Sequence, residues 1–262
     1  MQVIVCPDEA RVGQVAAAVV AKVAKAVGPS VVLGVATGSS PLSLYEALAG
    51  RVRAGLDLSG AQAFALDEYV GLPETHPESY HAVINRTVTV PLGIDPARVH
   101  VPDGTVDNLA TAGERYEAAI KAAGGVDIQI LGIGANGHIG FNEPTGSLMS
   151  RTHMVVLTER TRADNARFFA SLDEVPTAAM TQGMATILDA RATVLVAMGE
   201  GKAQAIADTV EGPVTAMVPA SVLQWHPDAT IVVDEAAASR LKLVDYYKQT
   251  YAGLPDWAKL DV

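Results

Sequence analysis

Three stretches of this chain carry side chains able to move a proton or hold an anion. The first is Asp67-Glu68-Tyr69, two adjacent acids where an apolar run ends. Successive strand residues point to opposite sides, so one carboxylate is expected to face a cleft and the other a structural partner. A carboxylate stripped of water there has a raised pKa and can serve as a base toward a carbon-bound proton. A helix cap or a surface turn is the commoner fate of such a pair. The second stretch is Gly132-Ile133-Gly134-Ala135-Asn136-Gly137-His138-Ile139-Gly140-Phe141-Asn142-Glu143-Pro144. Its glycines permit close backbone approach, and His138 with Glu143 nearby makes a general acid/base unit. A lone His in an apolar run is more often a satisfied core residue, but the Gly-rich setting after a strand favours chemistry here. The third is Thr37-Gly38-Ser39-Ser40-Pro41 before a helix starting near Leu42, where free N–H groups and the helix dipole suit an anion. The same residues also read as a plain cap, with Ser39 or Ser40 at N-cap and Pro41 at N1.

Those stretches must be positioned by the elements they follow. Short apolar runs at 2–6, 31–36, 62–66, 126–133, 193–198 and 230–233 read as strands. Longer Ala-rich periodic segments at 8–27, 40–54, 107–123, 160–171, 177–188, 202–210 and 235–250 read as helices. Alternation of the two, with strands near-continuously apolar, implies an α/β fold: an open, mostly parallel sheet with helices on both faces. We read residues 1–262 as a single domain, without linker or internal repeat. The segment 68–100, rich in Pro, His and Gly, is expected to form a loop with a short helix. Ligands of such sheets lie beyond the carboxyl ends of the strands, where all three chemical stretches fall. Arg167 and Lys202, the latter opening a helix after strand 193–198, are the cations that could reach an anion there, although a solvated surface is the usual place for either.

Composition bounds the partners. With 19 Lys+Arg against 29 Asp+Glu the net charge is −10, which argues against a nucleic-acid or anionic-membrane surface. Only 5% of residues are aromatic, too few for a base-stacking platform, while 49% are hydrophobic and supply a sizeable core. The single cysteine, Cys6, excludes an internal disulfide or a Cys-rich zinc site. His76, His81, His100, His138, His153 and His226 show no HxH or HExxH spacing, so no metal is expected. The Thr37–Pro41 turn has neither GxGxxG nor GK[ST], so a nucleotide is not indicated. No leader or membrane span is read in the sequence, and a cytoplasmic enzyme of a small-molecule substrate, needing no cofactor, is the expectation.

Taken together, Gly34–Pro41 (GVATGSSP), Leu66–Leu72 (LDEYVGL), His76–Tyr80 (HPESY), Leu131–Pro144 (LGIGANGHIGFNEP), Arg160–Phe169, Gly199–Ala203 (GEGKA) and Ala220–Pro227 resemble the glucosamine/galactosamine-6-phosphate isomerase family. Within it the chain is most similar to glucosamine-6-phosphate deaminases. The motifs run in the family's order over nearly the whole chain. The resemblance implies conversion of glucosamine 6-phosphate and water to fructose 6-phosphate and ammonia, in amino-sugar catabolism. It implies Asp67 as the base between C2 and C1, and His138 as the catalyst of pyranose opening, oriented by Glu143. Asn136 stands where some members carry Asp; it can orient the imidazole but cannot stabilise imidazolium by charge, so Glu143 is expected to be the main acidic partner. The phosphate is implied on Thr37, Gly38, Ser39 and Ser40, neutralised by Arg167 and Lys202. Relatives activated by N-acetylglucosamine 6-phosphate carry Arg and Lys after a Ser-Arg-Thr element; here Ser150-Arg151-Thr152-His153-Met154-Val155-Val156 has neither after Arg151, so little activation is expected. The family contains monomers and hexamers, which leaves a homo-oligomer open. A 6-phosphogluconolactonase, a galactosamine-6-phosphate isomerase and a non-catalytic sugar-phosphate sensor are the alternatives.

Overall fold

The computed structural model describes all 262 residues. Its strands are β1 (Gln2–Cys6), β2 (Val32–Val35), β3 (Gln62–Ala65), β4 (Asp67–Tyr69), β5 (Val99–His100), β6 (Ile128–Leu131), β7 (His153–Val156), β8 (Ala178–Thr181), β9 (Ala192–Ala197) and β10 (Ala229–Asp234). Its helices are α1 (Glu9–Val27), α2 (Leu42–Arg53), α3 (Tyr80–Ile84), α4 (Val90–Leu92), α5 (Leu109–Ala122), α6 (Glu159–Asn165), α7 (Met184–Leu188), α8 (Ala203–Val210) and α9 (Val244–Ala252). Seven strands form a wholly parallel sheet in the order β1-β10-β9-β6-β2-β3-β5. No helix is long and apolar enough to cross a membrane.

The central strands are buried on both faces because alternate side chains enter different cores. Leu33, Val35, Ile128, Ile130, Val194 and Val196 join the core formed with α1 and α2. Leu131, Leu195, Ala197, Ile231 and Val233 point the other way, toward α7, α8 and the turn at 219–225. Local signals set the helix ends. Asp8 caps α1 by accepting the Arg11 N–H at 2.8 Å, and Gly28 ends it at φ 96°.

The topology fixes where a ligand can sit. β2 lies between β6 and β3; the chain leaves β2 toward β3 on one side and leaves β6 toward β9 on the other. Connections diverge at that point, so the carboxyl ends of β2 and β6 frame a crevice. The turn at 37–41 and the Gly-rich loop at 132–144 are the segments that follow them.

Four elements differ from the sequence expectation. The span 177–188 is not one helix: Ala178–Thr181 is a strand, and only Met184–Leu188 is helical. The 178–181 segment joins β4 and β7 in a three-stranded antiparallel sheet, β4-β8-β7, whose pairing no local period announces. The span 160–171 is shorter, α6 followed by a 3-10 turn at Ala166–Phe168. The span 235–250 is irregular until Val244, where α9 begins. The 68–100 segment holds more order than a loop: it starts in β4, runs through a helix from Tyr80 to Leu92 with a π-helical stretch at Asn85–Thr89, and ends in β5.

The Glu68 carboxylate, 3% exposed, holds this last segment in place. Its Oε1 accepts the N–H groups of Tyr69 at 2.7 Å and Tyr80 at 3.0 Å, and its Oε2 accepts that of His81 at 3.1 Å. The acid therefore ties β4 to the start of α3. Removing it leaves several amides without a partner, each costing about 1–3 kcal/mol where water cannot reach. We expect Glu68→Ala to lower unfolding free energy by about 2–4 kcal/mol in urea titrations, and Glu68→Gln, which keeps one acceptor oxygen, by less.

Candidate active site

One cavity of about 780 Å³ opens at the carboxyl ends of the strands. Thr37, Gly38, Ser39, Ser40, Asp67, His138, Arg167 and Lys202 all line it. Asn136 and Glu143 stand behind His138 instead of on the cavity wall.

The turn after β2 is held from below. The buried Tyr45 hydroxyl accepts the Ala36 N–H at 2.9 Å and donates to the Ala36 carbonyl at 2.9 Å, which anchors the strand end. Gly38 then takes φ 85°, a left-handed conformation that a side chain would strain. Pro41, not Ser39 or Ser40, occupies the N-cap of α2, and no side chain caps the helix. The plain-cap reading is thus overturned: both serine hydroxyls remain available at an uncapped helix N-terminus.

Lys202 is presented by a second built turn. Asp234, at the end of β10, accepts the Gly199 N–H on both carboxylate oxygens, at 3.1 and 3.0 Å. Gly199 has φ 84°, and its carbonyl accepts the Lys202 N–H at 3.0 Å. Burial lowers the Lys202 pKa, the neighbouring Arg167 lowers it further, and Asp164 opposes both. A lysine whose charge is disfavoured by burial and by a neighbouring guanidinium, and only partly relieved by Asp164, forms a site that gains by receiving an anion.

Asp67 is 6% exposed, and its pKa is pushed up to about 8, first by loss of water and then by the adjacent Glu68. The two acids divide as strand geometry requires. Asp67 lines the cavity, while Glu68 is spent on backbone amides. The chain leaves the parallel sheet at Ala65 and enters the antiparallel one at Asp67, so this carboxylate sits at the junction of the two sheets.

The Gly-rich loop shapes the histidine. A Cβ on Gly134 would lie 2.2 Å from Cε1 of His138, so the ring rests directly on that glycine. His138 Nδ1 is 3.7 Å from Glu143 Oε2, an ion-pair separation longer than a hydrogen bond, and has no closer partner. Asn136 does not orient the imidazole, contrary to expectation. Its amide donates to Glu143 Oε2 at 2.7 Å, and its carbonyl oxygen accepts the His138 backbone N–H at 3.2 Å. The Glu143 pKa is held down to about 2, by His138 first, then by Thr161 and Asn136 against the opposing effect of burial.

Several cavity residues were not singled out from the sequence. Tyr69, Tyr80, Phe141, Phe168 and Phe169 gather around it, although aromatics are scarce in the chain. Tyr80 stacks on Phe141 at 6.2 Å, and Phe169 meets Tyr69 at 5.7 Å and His76 at 5.9 Å. Phe169 thereby bridges the segment carrying Arg167 to the one following Asp67. Thr161 and Arg86 also line the wall. The tyrosines could have been found, since both sit inside the LDEYVGL and HPESY motifs. Away from the cavity, Arg151 is bound to Asp189 and lies 3.8 Å from Glu117, so this cation is already neutralised.

Residues 7–232 match the family described as glucosamine-6-phosphate isomerases/6-phosphogluconolactonase. The chain is 55% identical over 257 residues to the glucosamine-6-phosphate deaminase of Pseudarthrobacter chlorophenolicus, covering 98% of this chain and 99% of that one. It is 56% identical over 259 residues to the Streptomyces avermitilis enzyme of the same name, covering 98% and 99%. Among solved structures it resembles a monomeric glucosamine-6-phosphate deaminase with a TM-score of 0.88 and 41% identity, covering 92% of this chain and 100% of that one.

The burial of Asp67 has a consequence in the ligand-free protein. The folded state holds its proton up to about pH 8, whereas an ordinary Asp releases it near 3.8. A raised folded pKa stabilises the fold below the unfolded value, and that stability is lost as pH rises toward the folded one. Unfolding free energy should therefore fall between about pH 4 and 8 in the wild type, and Asp67→Asn should flatten that fall. Parallel slopes for the two proteins in chemical denaturation would contradict the assignment.

Proposed function

The chain belongs to the glucosamine-6-phosphate isomerase/6-phosphogluconolactonase family, and from that premise we propose that it acts as a glucosamine-6-phosphate deaminase, releasing ammonia and fructose 6-phosphate. What carries this reading is the convergence, in one cavity, of a water-poor carboxylate, an acid-backed imidazole and two neighbouring cations beside free hydroxyls.

The phosphate lies on Thr37, Gly38, Ser39 and Ser40, with Arg167 and Lys202 supplying the positive charge. Its binding energy positions the reacting end of the sugar, which lies far from the charge. Ring opening needs one proton removed from the hydroxyl on C1 and one delivered to the ring oxygen. His138 carries that proton: with Nδ1 turned to Glu143, Nε2 faces the sugar. Glu143, fixed as an anion, stabilises the imidazolium formed midway.

The open-chain sugar has a carbonyl at C1 and an amine at C2. Asp67, ionised, takes the C2 proton as the C1 oxygen gains one, giving an enolamine. Return of the proton to C1 leaves an iminium at C2; water adds there, and ammonia departs to leave the ketone. A carboxylate with an ordinary pKa near 3.9 would be a weak base for such a step, and loss of water strengthens Asp67 for it. Asn136 holds Glu143 and the His138 backbone in register, so it contributes by position alone.

The test is formation of ammonia and fructose 6-phosphate from glucosamine 6-phosphate. Asp67→Asn should reduce kcat about 100-fold or more, the usual contribution of a general base. Since Asp67 must be ionised to act, kcat/KM of the wild type should rise with pH toward about 8. His138→Ala should harm reaction of the ring-closed sugar more than that of an open-chain analogue. Acid release from 6-phosphogluconolactone without ammonia from the amino sugar would overturn the reading. Because Arg151 is already paired, N-acetylglucosamine 6-phosphate should leave the rate curve unchanged.

A further inference from the structure

The loop holding His138 and the segment holding Arg167 meet at one side chain. Glu143 Oε2 accepts the Asn136 side-chain amide and faces His138, while its Oε1 accepts the hydroxyl of Thr161. Thr161 is 6% exposed, lies in α6 and lines the cavity. Its hydroxyl is aimed by a neighbour. Thr158, the N-cap of α6, accepts the Thr161 N–H at 3.1 Å and donates its own hydroxyl to Thr161 Oγ1 at 2.9 Å. The chain of bonds has one direction, from amide to Thr158, to Thr161, to Glu143. With its oxygen occupied as an acceptor, Thr161 can serve the carboxylate only as a donor. Arg167 follows six residues later, in the 3-10 turn that continues α6.

We propose that Thr161 is the positioning residue of the proton-shuttling pair, fixing Glu143 against His138 and tying that alignment to the segment that bears Arg167. Seating a phosphate on Arg167 and aligning the imidazole are then one mechanical event, because both depend on where α6 lies. A carboxylate held by Asn136 alone could swing about its remaining bond, and a misplacement of about 1 Å in a catalytic group costs on the order of 100-fold in rate. This inference rests on the reaction assigned above.

Thr161→Val keeps the shape and removes the donor; Thr161→Ser restores the donor without the methyl group. We expect Thr161→Val to lower kcat on glucosamine 6-phosphate about 10-fold or more, with KM changed less than about 3-fold, and Thr161→Ser to stay within about 3-fold of wild type. Should the valine variant not fold, Thr161→Ala replaces it with the same expectation. A second readout needs no turnover: the 13C resonance of the Glu143 carboxyl in the ligand-free protein. In the wild type it should stay ionised down to about pH 3, and in Thr161→Val its titration should move up by about 1–2 pH units. Unchanged kcat in the valine variant, a serine variant as damaged as the valine one, a loss confined to KM, or an unmoved Glu143 titration would each overturn the proposal. If the wild type itself yields no ammonia, the assigned reaction fails, and the Glu143 titration still decides whether Thr161 holds that carboxylate.

Discussion

The whole site depends on keeping water away from one carboxylate. Asp67 sits where the backbone passes from the parallel sheet to the antiparallel one, with the Gln182 N–H bound to the Leu66 carbonyl at 2.7 Å and the Gln182 side chain to that of Ala65 at 3.0 Å. Those bonds close the junction and leave the acid 6% exposed. An ionised group so placed is costly, and its raised pKa reflects that cost. Glu68 meets the same problem differently: burial raises its pKa too, but three backbone amides that it accepts oppose that effect. Adjacent residues of one type thus acquire opposite tasks, and the pleat of a three-residue strand decides which has which.

A second constraint is electrostatic. The molecule carries a net charge of −10, yet one corner of its cavity brings Arg167 and Lys202 close enough to depress the lysine. Net charge governs encounters with polyanions across a whole surface, whereas a single phosphate responds to what lies within a few ångströms. The acidic surplus and a phosphate site are therefore compatible. Asp234 matters to this arrangement although it never faces the cavity, because it sets the turn that delivers Lys202.

Scarce aromatics are likewise concentrated. Tyr69 contacts Tyr80, Phe141 and Phe169, and together they make the wall between the segment after Asp67 and the segment that carries Arg167. Ring edges and faces packed at these distances contribute beyond their buried area. They give the cavity a firm side without offering a stacking platform, as befits a ligand held by hydrogen bonds and charge.

The parallel sheet was legible in the chain because strands buried on both faces must be almost wholly apolar, and β2, β6 and β9 are, with Gln129 and Thr193 the only polar residues among them. Legible too were Asp67, His138, Lys202 and the 37–40 turn as candidates, since each follows a strand and carries an unusual residue type for that place, whereas Arg167, on a helical segment, stood out only as a cation. Residues 177–188 were misread because a four-residue strand flanked by a one-turn helix has no period long enough to distinguish it from a helix. The partners of a side chain were out of reach for a related reason. Hydrogen bonds between Thr161 and Glu143, or between Asp234 and Gly199, join residues 18 and 35 positions apart. Sequence determines which groups exist and which element each one ends. Only the tertiary fold decided that Asn136 serves Glu143 and not the imidazole, that the serines stay uncapped, and that Asp67 alone of the two acids meets the cavity, because such choices turn on ångström distances between segments that local chemistry does not link.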